Sequence, residues 1–183
     1  MALRTLIATH ECIEEYERAE REHQDAGLIL LAENSAQGVA FMALSAEMVL
    51  KAAYFRFIGY RSTQQIAWVD LRAAEVDIRV LGVTDSPESY HNLLFRANAV
   101  IAARRFGVPL RTHGARPALP AVGAYPMNSQ DEADLRSMVM RLRANWTIGD
   151  RYKAIQPHAA KQDMDDVFDD AAMIVQPYDK GRI

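Results

Sequence analysis

Arg151 and His158 bracket a short stretch, opened by Trp146, that also carries Tyr152 and Lys153. A permanently charged guanidinium beside an imidazole that exchanges protons near neutral pH is a workable pair for cleaving RNA. The His would act on the 2′-hydroxyl or the leaving oxygen, and the Arg would stabilise the crowded phosphate charge. Pro157 directly precedes His158 and predicts a turn there, so a structural or solvent-exposed His158 is the competing reading. Around the pair lies a basic and aromatic set: Arg141, Arg143, Trp146, Arg151, Tyr152 and Lys153. Such cations hold phosphates while an exposed ring stacks on a base. The alternative makes Trp146 and Tyr152 core anchors at a helix end, whose negative terminus the cations complement. For Trp146, which continues an apolar helical stripe, the core reading is preferred.

Other spacings suggest other chemistry. Glu20-x-x-His23 and Glu88-x-x-His91 have the spacing that di-iron bundles place on facing helices, with Glu33, Glu47 and Glu132 as further carboxylates. The order is wrong for such a site, because no lone Glu helix precedes the first pair. Glu20 and His23 also lie on the most charged segment, and Glu88 falls in a helix first turn where it complements the dipole. No metal and no cofactor is therefore expected, with a di-metal bundle as a minor alternative. Glu47 and Lys51 read as an i, i+4 pair in the direction that stabilises a helix. Cys12, with no basic group placed beside it, reads as an inert thiol. There is no Gly-rich phosphate loop and no serine elbow.

The elements that must position these residues are helical. Thr9 to Asp25 predicts a charged, peripheral helix (within 1–26) that ends near Gly27, with only Ile13 and Tyr16 offering an apolar side. Leu28 to Ile58 is apolar and Ala-rich, with Phe41, Leu44, Met48, Ala52 and Phe55 at helical spacing. It predicts the core helix; Gly38 divides it or allows a close crossing, and Gly59 ends it. Between Ser62 and Thr84 a helix is preferred over a strand, with Ile66, Val69, Ala73, Val76 and Val80 as its stripe and its Asp and Arg residues toward solvent. Ser86-Pro87-Glu88 forms a helix start, continued by Tyr90, Leu93, Leu94, Ala97, Val100 and Ile101 and stopped by Gly107 and Pro109.

The stretch 107–128 holds four prolines and predicts a long loop of the kind used for function or interaction. Ser129-Gln130-Asp131-Glu132 has the form of a capping box, after which Leu135, Met138, Val139, Leu142 and Trp146 share a face. A last helix over 163–176 carries Met164, Val167, Phe168, Ala171, Ile174 and Val175. The sum is a single all-α domain, an up-and-down bundle of five or six helices.

Totals restrict the partners. The chain has 183 residues, half of them hydrophobic and 25% charged, with a formal charge of -3, so nucleic acid or an anionic membrane would need a local patch. One cysteine fits a reducing compartment. No apolar run is read as a membrane span and the opening residues lack a signal peptide's design, so a cytoplasmic protein without a membrane partner is expected.

Ser45-Ala46-Glu47-Met48-Val49-Leu50-Lys51-Ala52 resembles the Glu-x-x-Leu-Lys-Ala core helix of HEPN domains. Later segments come in that family's order. The piece Tyr90-His91-Asn92-Leu93-Leu94 is similar to its His-x-Leu helix, Trp146 through Arg151-Tyr152 looks like its Arg-Tyr segment, and Asp165 through Ala172 resembles its acidic final helix. The resemblance implies a helical bundle, often dimeric, from prokaryotic toxin-antitoxin, defence or stress systems and frequently beside a small nucleotidyltransferase. It also implies that some members are metal-independent ribonucleases with an Arg-x(4-6)-His motif at a dimer cleft, a spacing that Arg151 and His158 match, whereas others bind nucleotides, RNA or a partner. On that basis Arg151 and His158 are the catalytic candidates. Arg143, Arg151, Tyr152 and Lys153 are the nucleotide- or RNA-binding candidates, and a homodimer is expected. Tyr152 stands where the nucleases commonly have a small polar residue, and the insertion between Lys51 and His91 and the Pro-rich loop are further departures. The reading from a different class is a non-enzymatic helical protein that dimerises or docks a partner.

Overall fold

The computed structural model describes residues 12–32, 37–80, 82, 92–109, 121–145, 166 and 168–174. The helices are α1 (Ile13–Ala32), α2 (Gln37–Phe57), α3 (Trp68–Val80), α4 (Leu93–Phe106) and α5 (Ser129–Asn145), followed by helical residues at 168–174. No strand occurs among the described residues, and the protein is an all-α helical bundle.

α2 is the centre. It is apolar on every side, and a helix of that kind must be covered all round: α1, α4 and α5 all pack on it. Its length and composition would suffice to cross a bilayer, contrary to the expectation from sequence, yet 83% of its apolar window is buried inside the bundle. Gly59, at φ +92, ends it as expected. α1 runs antiparallel to α2: Tyr16 stacks on Phe55 and Glu17 pairs with Arg56 at one end, while Gly27 meets Gly38 at the other. A Cβ on Gly38 would lie 2.8 Å from the Leu31 backbone nitrogen and 2.9 Å from the Gly27 carbonyl oxygen, so the crossing requires glycine. The helix end expected near Gly27 is therefore corrected. Gly27 serves a close approach to Met42 rather than a C-cap, and α1 continues to Ala32, taking Leu28 to Leu31 from the predicted core helix.

α4 packs on α2, and α5 lies antiparallel on α4 through an Arg105–Glu132 ion pair and a 2.9 Å bond from Arg136 Nε to Asn98 Oδ1. Of the apolar residues predicted for these helices, Tyr90 and Trp146 lie outside the described residues, Leu94 is half-buried, and the others are where they were expected. Leu93, Ala97, Val100, Ile101, Leu135, Met138, Val139 and Leu142 are all buried. Two helix starts are corrected. α4 begins at Leu93, with extended Asn92 as N-cap accepting from Phe95 N–H at 3.2 Å, not at Ser86. At α5 the capping oxygen belongs to Asn128, which accepts from Asp131 N–H at 2.8 Å; Glu132, expected to reach back, is instead buried against Arg105.

α3 is a helix, as preferred from sequence, but its outward side is not the expected one. Ile66 is buried, whereas Val69 and Val76 are 54% and 59% exposed, and the inward residues are Asp70, Leu71 and Ala74. The start of the helix makes a polar residue compatible with the buried side. The Asp70 carboxylate reaches back to accept from Ala67 N–H at 2.7 Å, satisfying a donor that the helix leaves open, and the turn that carries it faces the body. Asp70 thus departs from the solvent-facing role predicted for it, while Arg72 and Arg79 keep theirs.

The ends of the 107–128 stretch are fastened to α4. Val108 and Val122 exchange two 2.8 Å backbone bonds, Tyr125 N–H donates to the Arg104 carbonyl at 2.7 Å, and Arg104 Nε donates to the Tyr125 carbonyl at 3.1 Å. Gly107, at φ +69, lies so close to Val122 to Ala124 that a Cβ would strike their backbone. Residues 110–120 lie outside those described.

Candidate functional site

Arg143 is the one predicted site residue within the described part of the chain. It lies in the last turn of α5 and is exposed. Arg151, Tyr152, Lys153 and His158, together with Trp146, lie outside the described residues, so the convergence predicted for the Arg and His is neither formed nor excluded there. Arg141, grouped with them as a phosphate holder, is engaged elsewhere. Its Nε lies 2.9 and 3.1 Å from the two Asp170 oxygens and its Nη1 donates to Ser137 Oγ at 2.7 Å. That hydrogen-bonded carboxylate raises the guanidinium above its ordinary value. Arg141 fastens the segment 168–174, with its buried Ala171 and Ile174, to α5.

A second group of polar residues lies along the α1–α2 seam. Ser45 Oγ donates to Glu20 Oε1 at 3.3 Å, joining the helices. One turn and a half further along α2, Lys51 Nζ sits 2.7 Å from Glu47 Oε1 and 5.5 Å over the Tyr16 ring. The side chains of Lys51 and Glu47 are 8% and 0% exposed. The i, i+4 relation was legible in the sequence, but not its burial. Between Val39 and Phe55 the chain is apolar on all sides apart from Ser45, Glu47 and Lys51, so its few polar residues must be covered with the rest. Charges taken out of water persist only when paired, and this pair with its aromatic neighbour binds α2 to α1.

The metal alternative gains no support from this seam. His23 sits against the Phe41 ring at 5.7 Å, Glu20 is bonded to Ser45, and Glu88 and His91 lie outside the described residues. Among the described residues no three His, Cys, Asp or Glu side chains come together. Cys12 is half-buried. α4 also buries two cations, Arg96, whose Cζ lies 5.6 Å from the Phe95 ring centroid, and Arg104. Burial holds the Arg104 guanidinium below its ordinary value, with Tyr125 and Asp131 partly opposing the shift. Its plane lies 5.2 Å from the Tyr125 ring.

No family model, no curated protein and no solved structure matches the chain.

Proposed function

We propose that this chain is a HEPN-like protein that binds RNA or a nucleotide as one half of a toxin-antitoxin, defence or stress system, in the cytoplasm. In this reading Arg143, Arg151, Tyr152 and Lys153 contact phosphate and base. Arg151 and His158 perform metal-independent cleavage in the cleft of a homodimer, and a small nucleotidyltransferase is the companion protein. The observation that supports it is the setting of two motifs in the bundle. The helix bearing Glu47 and Lys51 is the central helix, and α5, which ends at Asn145, carries the exposed Arg143 in its last turn, eight residues before Arg151 in the chain. An all-α body that presents a cation shortly before that basic segment has what phosphate binding needs.

The test is cleavage of a structured RNA by wild type, Arg151→Ala and His158→Ala with chelator present. Wild type is expected to cut, and each variant to lose at least a hundredfold in rate. Equal rates in wild type and His158→Ala, or none in either, remove His158 from catalysis. Retention of RNA binding without cleavage retains only the binding half. The second reading, a helical interaction protein, is favoured by a separate observation, the outward apolar side chains of α3.

A further inference from the structure

Helix α3 presents its two kinds of side chain on opposite sides. Asp70, Leu71 and Ala74 are buried, whereas Trp68, Val69, Arg72, Val76 and Arg79 are exposed, and at helical spacing these five share one face. Trp68, Val69 and Val76 are each more than half exposed. Apolar side chains clustered on an exposed face mark interaction sites. Between them stand Arg72 and Arg79, two turns apart, and neither forms an ion pair with a described residue. Among the residues whose side chains are described, no fully exposed carboxylate lies on this face; half-buried Glu75 stands at its border, one turn from each arginine.

Charge and shape narrow the occupant. A two-fold contact of this face with its own copy would set arginines against arginines, since such an interface uses the same patch twice. That is a repulsion, against which this face offers only the half-buried Glu75. Nucleic acid would satisfy Arg72, Arg79 and the indole but not Val69 and Val76, which lie two turns apart and need apolar side chains above them. A partner that meets both requirements carries apolar residues along one stripe with carboxylates beside it. α3 is about 20 Å long at 1.5 Å per residue, the span of a three- to four-turn helix.

We propose that the outward face of α3 is a docking site for an acidic amphipathic helix of a different protein, with Trp68, Val69 and Val76 receiving its apolar stripe and Arg72 and Arg79 its carboxylates. This deepens the interaction reading and is independent of the RNA reading, because the face lies outside the Trp146 to His158 segment. A failure here leaves the cleavage experiment untouched.

The probe is a labelled helical peptide with leucines at heptad spacing flanked by glutamates, and its twin with lysines in their place, followed by fluorescence anisotropy. The glutamate peptide is expected to bind wild type saturably. Val69→Ser with Val76→Ser, and separately Arg72→Glu with Arg79→Glu, should each weaken it at least tenfold, and the charge-reversed variant should gain the lysine twin. Circular dichroism of both variants should match wild type, because every altered side chain faces water; Val69→Ala provides a milder variant with the same expected direction. No saturable binding of the glutamate peptide overturns the proposal, as does binding that neither variant changes. Single-stranded RNA binding that needs the arginines but not the valines would assign the face to nucleic acid and overturn it. Self-association in sedimentation that Val69→Ser abolishes would assign it to a second copy and overturn it too.

Discussion

At the scale of single residues the most consequential feature is Lys51 and Glu47, a charge pair closed inside the central helix. Two such charges lose their hydration on folding, and their attraction roughly repays that loss only while both are present. Removing Lys51 takes away the cation that faces the buried Glu47 carboxylate. Lys51→Met is therefore expected to lower unfolding free energy by about 3–5 kcal/mol, whereas Glu47→Leu with Lys51→Met should return close to wild type or above it. Urea unfolding of the single and double variants measures this directly, and a single variant as stable as wild type would show that the pair is not isolated from water. The helix caps give a smaller contrast. Asn128 accepts from Asp131 N–H while Ser129, the residue with the more familiar capping pattern, has no such bond assigned. Asn128→Ala should cost about 1 kcal/mol, and Ser129→Ala should leave the midpoint unchanged; the reverse order would reinstate the capping box one residue later.

At the scale of elements, the crossing of α1 and α2 depends on the absence of a side chain at Gly38. Its neighbours there are backbone atoms of Leu31 and Gly27, which cannot swing aside as a flexible side chain would. Gly38→Val should force the helices apart and cost about 1–3 kcal/mol or more, read as a fall in thermal midpoint. A midpoint equal to wild type would mean the helices can separate at that end without losing contacts elsewhere. The same crossing shows how far sequence reaches. Gly38 was legible as a place for close approach, but Gly27 was read as a helix end, because a glycine after a charged run fits a C-cap and a crossing equally well. α5 was legible because it buries a stripe against a neighbour and exposes most of the rest; the stripe of α4 was legible too, but not that burial extends round to Phe95, Arg96 and Ala103 and leaves only Arg105 and Phe106 exposed. α3 was legible as a helix but not in its rotation. Ile66, Val69, Ala73, Val76 and Val80 have helical period, and period says that a stripe exists without saying which side the body occupies. Packing against the rest of the bundle, which covers Asp70, Leu71 and Ala74, decides that. Of the candidate site, Arg143 could be placed on a last turn, while the pairing of Arg141 was not legible because its partner Asp170 lies 29 residues away in the chain.

For the whole molecule, the bundle is unequal in how its parts are held. α2 is enclosed by three helices, whereas α3 packs mainly on α4 and turns Trp68, Val69 and Val76 to water. Local opening costs least where few apolar contacts are lost. Amide hydrogen exchange is therefore expected to be slowest through the middle of α2, at the free energy of global unfolding, and faster by orders of magnitude in α3, which can open while the α1, α2, α4 and α5 core stays closed. Destabilising the core by Lys51→Met should accelerate exchange in α2 by the full change in stability and leave α3 nearly unaltered, because α3 opens by its own route. If instead α3 amides exchange as slowly as those of α2, and slow or quicken with them in the variant, then α3 belongs to the cooperative core. The apolar side chains it shows to solvent would then be held in place by the bundle alone. A rise in α3 protection on adding the acidic helical peptide, with α2 unchanged, would mark the opposite case, in which the outermost helix is completed by a partner.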